Sequence, residues 1–142
     1  MPASFLDTNV FLYAAMHRLP EQDAHKRPIA DRLVYDEDYC LSTQVLAEFY
    51  YNARSKGEIK LTHDEACAWI EQMAVQPCVT VDANLVRAGA ILADRYQISY
   101  WDGAMIAAAH DLGAETFYTE DLNHGQRYGN VTVVNPFKPI PN

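Results

Sequence analysis

Short runs of β-prone residues alternate with longer stretches of helical periodicity along this chain. The predicted strands are Ser4–Leu6, Tyr39–Leu41, Cys78–Val81, Thr116–Tyr118 and Val131–Val134. Strands that are joined by crossover helices form a parallel sheet with helices on both faces, because such connections are almost always right-handed. The pattern therefore predicts an α/β fold of three layers, with a central, mostly parallel sheet of about five strands flanked by helices.

Polar residues mark where the predicted helices begin. Thr62 and Glu65 form a capping box, in which each side chain accepts a hydrogen bond from a backbone amide of the other residue. Thr43, Asp82 and Ser99 are predicted N-caps, because a short polar side chain there can accept from a free amide of the first turn. The predicted helices run from Gln44 to Lys56, from Thr62 to about Ala74, from Asp82 to about Tyr96 and from Ser99 to Gly113, with others after Asp7-Thr8-Asn9 and from Pro28 towards Tyr35.

Composition predicts one globular domain over residues 1–142, since 49% of the residues are apolar and 21% are charged. A net charge of −8 leaves no basic surface for a polyanion, so binding RNA or DNA would need a cation. The chain has three cysteines, an odd number without metal-ligand spacing, which argues against a disulfide framework. We therefore expect the protein to be located in a reducing cytoplasm. The longest apolar run, Val10–Met16, is too short for a membrane span, so we expect no membrane association.

Four acidic residues stand in positions that call for an explanation. Asp7 follows the first predicted strand and Asp121 comes shortly after the fourth, while Glu48 and Asp102 lie in apolar stretches of two helices. Burying a carboxylate costs several kcal/mol unless it is paired, and no basic residue lies one helical turn from Glu48 or Asp102. A shared Mg²⁺ or Mn²⁺ ion would satisfy all four, and such sites hydrolyse phosphodiesters.

Simpler interpretations compete with this metal site. Asp7 could cap the helix that follows it, and Asp102 could complete a capping arrangement with Ser99. Glu48 could face solvent on its helix. His63 and Cys67 have the i, i+4 spacing of zinc ligands, but no third and fourth ligand accompany them in the sequence.

Several ordered fragments of the chain resemble the PIN domains, and most closely the VapC-type toxin ribonucleases of toxin–antitoxin pairs. The similarity extends nearly from end to end. The matching fragments are Phe5-Leu6-Asp7-Thr8-Asn9-Val10, Ser42-Thr43 leading to Glu48, Tyr100-Trp101-Asp102-Gly103-Ala104, Tyr118-Thr119-Glu120-Asp121-Leu122 and Asn135-Pro136-Phe137.

The resemblance implies a PIN-like fold and a Mg²⁺- or Mn²⁺-dependent endoribonuclease whose metal site is formed by Asp7, Glu48, Asp102 and Asp121. It also implies an RNA substrate, frequent homodimers, and inhibition by a small antitoxin that inserts a segment into the cleft. In the family, polar residues hold carboxylates or waters in place, and the matching residues here are Thr8, Asn9, Ser42, Thr119 and Glu120. Whether Glu120 or Asp121 is the fourth ligand stays open.

Other features of the sequence bear on the substrate and on competing functions. The candidates for RNA contact are Tyr50, Tyr51, Arg54 and Lys56, because aromatic rings can stack on bases and basic side chains beside them can bind phosphate. An aspartyl-phosphate phosphatase is an alternative, although that class by resemblance has an aspartate at the position of Asn9. A non-catalytic module that grips a basic peptide in an acidic cleft is a second alternative.

Overall fold

The computed structural model describes residues 3–55 and 60–139, which form a layer of strands flanked by helices. The strands are β1 (Ser4–Leu6), β2 (Tyr39–Ser42), β3 (Cys78–Val79), β4 (Thr116–Tyr118), β5 (Arg127–Tyr128) and β6 (Val131–Val134). The helices are α1 (Thr8–Ala15), α2 (Lys26–Asp31), α3 (Thr43–Ser55), α4 (His63–Val75), α5 (Ala83–Tyr96) and α6 (Tyr100–Asp111).

The strands lie in the order β3-β2-β1-β4-β6-β5, and every pair is parallel except β5 with β6. The chain moves outward from β1 to β3 and then crosses back to β4 on the other side of β1. The connections after β1 and β4 therefore diverge, and open α/β sheets bind ligands in the crevice that forms at such a switch in strand order. The mixed α/β fold that we predicted is confirmed.

Aromatic side chains at the centre of the sheet form part of the core. Phe5 on β1 and Phe117 on β4 are fully buried, and their rings pack edge to face with centroids 5.4 Å apart. These contacts fix the two strands whose carboxyl ends carry the candidate site. Among the described residues, no helix has the length and apolar character needed to cross a membrane.

The caps that we predicted at Thr62, Asp82 and Ser99 are confirmed. The Thr62 hydroxyl accepts from the Glu65 amide at 3.1 Å, and the Glu65 carboxylate accepts from the Thr62 amide at 2.9 Å. Asp82 caps α5 by accepting from the Leu85 amide at 2.9 Å. Ser99 caps α6. These helix starts need only residues that are three positions apart, so the sequence is sufficient to locate them.

The beginning of α3 differs from the prediction by one residue. Thr43 belongs to the helix, and its hydroxyl instead accepts a hydrogen bond from the Val81 amide at 3.0 Å. The preceding residue, Ser42, has the cap position and accepts from the Val45 amide at 3.5 Å. The predicted final residue of this helix, Lys56, lies outside the described residues.

The edges of the sheet also differ from the prediction. About five strands were expected, but the sheet has six, because the two-residue strand β5 pairs antiparallel with β6. The predicted strand Cys78–Val81 ends at Val79, where its pairing with β2 ends. Helix α2 does not continue to Tyr35 as an α-helix but passes into a π-helical turn over Arg32–Asp36.

The contact between α5 and α6 depends on two glycines. A Cβ atom placed on Gly103 would lie 2.6 Å from the carbonyl oxygen of Gly89, and one placed on Gly89 would lie 2.8 Å from the Cα of Ala104. Both distances are too short for non-bonded heavy atoms, so the two helices approach as closely as their backbones permit.

Gly103→Ala is expected to lower the free energy of unfolding by about 1 to 3 kcal/mol, because the added methyl group must push α5 away from α6. Helix propensity acts in the opposite direction, since alanine is favoured over glycine by about 1 kcal/mol inside a helix. Urea unfolding of the variant measures the sign of the change. A gain in stability would show that the two helices can separate without cost.

Candidate active site

Asp7 and the Thr119–Asp121 segment lie side by side, because they follow the adjacent parallel strands β1 and β4. The Asp7 amide donates to the Tyr118 carbonyl oxygen at 3.1 Å, which continues the sheet pairing into this segment. The Thr119 hydroxyl donates to Oδ2 of Asp7 at 2.6 Å and accepts from the Asp121 amide at 3.2 Å. Thr119 therefore connects the two acids that follow the central strands.

The Asp7 carboxylate is buried, with 4% of the residue exposed. Asp7 occupies the N-cap position of α1, but its side chain makes no capping hydrogen bond, so the interpretation as a simple cap is wrong. Burial is the main cause that raises the pKa of Asp7 to about 7; the Thr119 hydrogen bond opposes the rise, and the nearby Asp121 carboxylate adds to it. A metal-free protein thus holds this carboxyl group in a position that disfavours its charge.

Asp102 serves both as part of a helix cap and as a member of this group of acids. Its amide donates to the Ser99 hydroxyl at 3.1 Å, and that hydroxyl donates to Oδ2 of Asp102 at 3.0 Å. The capping arrangement is therefore present. Burial nevertheless raises the pKa of Asp102, the Ser99 hydrogen bond opposes this, and the carboxylates of Asp121 and Glu48 raise it further. The cap alone does not account for the environment of Asp102.

Glu48 on α3 faces the rest of the molecule, so the alternative in which it turns to solvent is wrong. The Thr8 hydroxyl donates to Oε1 of Glu48 at 2.9 Å, and Nε2 of Gln44 lies 2.9 Å from Oε2. The same Gln44 nitrogen lies 3.2 Å from the carbonyl oxygen of Trp101 on α6. Gln44 was missed in the sequence, although it stands one helical turn before Glu48.

The four carboxylates of Asp7, Glu48, Asp102 and Asp121 are hereafter called the acid cluster. They are linked electrostatically, because Asp121 acts on both Asp7 and Asp102, and Glu48 also acts on Asp102. All four are oxygen donors, which are the ligands that Mg²⁺ and Mn²⁺ prefer. A cation would relieve their mutual repulsion. The donor set therefore fits such an ion in its chemistry.

The side chains of the acid cluster are held by hydrogen bonds within the protein. In residues 3–55 and 60–139, no three His, Cys, Asp or Glu side chains form a group that could already hold a metal ion. Binding an ion would thus require some of these side chains to move closer together, while each carboxylate can keep its hydrogen bond, because a carboxylate has lone pairs for both a donor and a metal. The donors involved are Thr8 and Gln44 for Glu48, Ser99 for Asp102, and Thr119 for Asp7.

Glu120 and Asp121, which the sequence could not separate, have different surroundings. Glu120 accepts from the Lys26 ammonium group at 2.8 Å and from the Tyr13 hydroxyl. Lys26 also lies over the rings of Tyr13 and Phe137, at 4.9 Å and 5.7 Å from their centroids. The negative charge of Glu120 is thereby paired, whereas the charge of Asp121 acts on Asp7 and Asp102.

The other residues that were selected from the sequence differ in their burial and in their contacts. Ser42 is fully buried at the start of α3, and Asn9 is half-buried in the first turn of α1. The Tyr50 hydroxyl lies 2.9 Å from Nδ1 of His63, and Arg54 donates to the Leu61 carbonyl oxygen at 2.8 Å, so both side chains connect α3 to the segment around the start of α4. Lys56 is not among the described residues.

Comparison with solved structures gives clear similarity in fold. The toxin VapC20 of Mycobacterium tuberculosis, described as cleaving the Sarcin-Ricin loop, is 21% identical, with a TM-score of 0.64 over 84% of this chain and 90% of that one. A toxin–antitoxin complex from Klebsiella pneumoniae is 14% identical, with a TM-score of 0.66 over 94% of this chain and 98% of the other. DNA-bound VapBC from Salmonella typhimurium is 19% identical, with a TM-score of 0.60 over 94% and 97% of the two chains.

Comparison of sequences gives different results for single proteins and for a family profile. No curated protein matches the chain significantly in sequence. The family profile of the PIN domain, in contrast, matches residues 4–129, which include β1, β4 and all four members of the acid cluster. With this match and the similarity in fold to VapC toxins, the chain belongs to the PIN domain family.

Proposed function

We propose that this protein is a Mg²⁺- or Mn²⁺-dependent endoribonuclease that acts as the toxin of a toxin–antitoxin pair. The observation that carries the proposal is the acid cluster, in which four carboxylates from separate parts of the chain act on one another at the switch point of the sheet. Membership of the PIN family and the similarity in fold to VapC toxins support it.

Asp7, Asp102, Asp121 and Glu48 would hold the metal, which when bound supplies an activated water and neutralises charge on the phosphate. The chain itself positions the ligands. Thr119 holds the Asp7 carboxylate beside the segment that carries Asp121, and Thr8 directs Glu48. Ser99 directs Asp102. These hydroxyl donors limit the orientations available to each carboxylate, in the manner of the outer ligands around metal sites.

The neighbouring structures support the substrate and partner classes. One neighbour is described as cleaving the Sarcin-Ricin loop, which supports RNA as the substrate. Other neighbours are toxin–antitoxin complexes, which support a small antitoxin as the partner. Homodimer formation is a further part of the proposal, and it is supported by the family resemblance alone. All three cysteines are free, which supports a reducing cytoplasmic location.

The test is cleavage of a mixture of cellular RNAs by the purified protein in Mg²⁺, compared with EDTA. Asp102→Asn is expected to remove most of the activity, because it deletes one charged ligand but retains an oxygen that can accept from Ser99. Asp38→Asn is the matched control, since Asp38 is exposed and precedes β2 at the opposite end of the strands.

Cleavage that persists in EDTA, or in Asp102→Asn, would contradict the proposal. Release of phosphate from small phosphomonoesters without RNA cleavage would instead indicate the phosphatase. Binding of a basic peptide without any hydrolysis would indicate the non-catalytic module.

A further inference from the structure

An open groove of about 700 Å³ lies directly beside the acid cluster, between α3, α5 and the start of α6. Its aromatic wall is formed by Tyr51, Tyr100 and Trp101. Tyr51 is 71% exposed and Trp101 is 62% exposed. The other tryptophan, Trp69, is partly buried against the core, so the exposure of Trp101 is unusual within this protein. The volume lies within the range of about 300 to 1,000 Å³ that is typical of sites for small organic groups.

The groove is continuous with the acid cluster. Glu48 and Gln44 line it, and Gln44 contacts both the Glu48 carboxylate and the backbone of Trp101. This bridge holds the aromatic wall at a fixed position relative to Glu48. A group that occupies the groove therefore stands next to whatever binds at the acids.

The charge of the groove indicates which part of a nucleic acid it would accept. Glu48 is the one charged side chain among the lining residues that the structure describes, so the groove offers nothing to attract a phosphate. The side-chain amide of Asn52 and the amide oxygen of Gln44 can form hydrogen bonds with the polar edge of a neutral heterocycle, and exposed rings stack on its face.

We propose that this groove binds an unpaired nucleobase of the RNA substrate by stacking on Trp101 and Tyr51, next to the phosphate that the acid cluster engages. The inference rests on the proposed nuclease function and adds to it the groove and the ring residues that would bind one base of the substrate. A base inside a double helix is already stacked on both faces and paired along one edge, so it cannot enter the groove.

The direct test uses fluorescence of Trp101 in the double variant Asp7→Asn, Trp69→Phe, which has Trp101 as its one tryptophan and is expected not to cleave RNA. A short oligoadenylate is titrated in Mg²⁺ and is expected to quench the emission. The same oligoadenylate paired with its complement, and an abasic ribose-phosphate chain of equal length, are expected to leave the emission unchanged. Equal quenching by the abasic chain would overturn the inference.

Substitution of the rings gives an independent test. In the Asp7→Asn background, calorimetric titration is expected to show that Trp101→Ala and Tyr51→Ala each weaken oligoadenylate binding roughly 5- to 150-fold, which corresponds to about 1 to 3 kcal/mol of stacking. Tyr35→Ala is the matched control, because Tyr35 is 62% exposed and packs near Trp69 on α4 instead of lining the groove. Both ring residues are exposed on helices, and urea unfolding verifies that the variants fold.

The outcomes separate this inference from the proposed function. If the wild type cleaves RNA and Trp101→Ala binds and cleaves it equally well, the groove does not bind a base and the nuclease remains. If Trp101→Ala alters only self-association in sedimentation, or only binding of an antitoxin, the groove is a protein interface and the inference is wrong. If the wild type neither binds nor cleaves RNA, the proposed function fails and the inference fails with it.

Discussion

Asp7→Asn is expected to lower the rate of RNA cleavage by about 1,000-fold or more and, at the same time, to stabilise the metal-free protein. The loss of rate, about 4 kcal/mol in transition-state free energy, follows if a charged metal ligand is removed from the proposed site. The gain in stability follows because the wild type must keep a buried carboxylate beside Asp121, whereas asparagine is neutral. The asparagine carbonyl oxygen can still accept from Thr119.

Cleavage assays in Mg²⁺ and urea unfolding in EDTA at about pH 8 measure the two effects, and we expect a gain of about 1 to 3 kcal/mol in the free energy of unfolding. Asp38→Asn, which changes an exposed aspartate, should alter neither quantity. A variant that loses both activity and stability would indicate that the Asp7 carboxylate has a structural role, and the proposed role as a ligand would lose its support.

The second large effect is a loss of stability in the metal-free protein as pH rises. The folded-state pKa of Asp7 is raised from 3.8 to about 7. Its protonated form therefore contributes stability that is fully present below about pH 4 and is lost as pH rises through about 7. A difference of about three pKa units corresponds to at most about 4 kcal/mol. The pKa of Asp102 is raised as well, which acts in the same direction.

Mg²⁺ should reverse this trend, because an ion that binds the ionised carboxylates stabilises the folded state by RT ln(1 + [L]/Kd). Urea unfolding at about pH 5 and about pH 8, with Mg²⁺ and with EDTA, should show a stabilisation by metal that is larger at the higher pH. Asp7→Asn should remove most of the pH dependence in EDTA. A metal-free wild type that becomes more stable between these pH values would contradict the assignment of Asp7.

The features of the fold that could be predicted are those with local causes. The caps at Thr62, Asp82 and Ser99 depend on residues within one helical turn, and the structure has each of them. The short strand β5 was missed because it exists only through its pairing with β6, and two residues leave no periodic pattern in the sequence. The last residues of the predicted third strand fail for the same reason, since the partner strand ends first.

The sequence was sufficient to select candidate acids for the site but not to predict their contacts. Asp7 and Asp121 could be selected because they follow strands, and Glu48 because an acid within an apolar helix needs a partner. The neighbours Glu120 and Asp121 could not be separated, because the difference between them arises from Lys26, far away in the sequence. Tyr51 could be selected from the sequence as a stacking residue, but the groove that it lines could not be predicted, because the walls of the groove come from different helices.

The Lys26 ammonium group joins distant parts of the chain at one point. It binds Glu120 and lies over Tyr13 of α1 and over Phe137, which follows the final strand. The turn that carries Asp121 is therefore held by residues that lie well before it and well after it in the sequence. A nascent chain that has not yet been synthesised through Phe137 lacks part of this fastening. The geometry around Asp121 is consequently complete only after β6 and Phe137 have been synthesised.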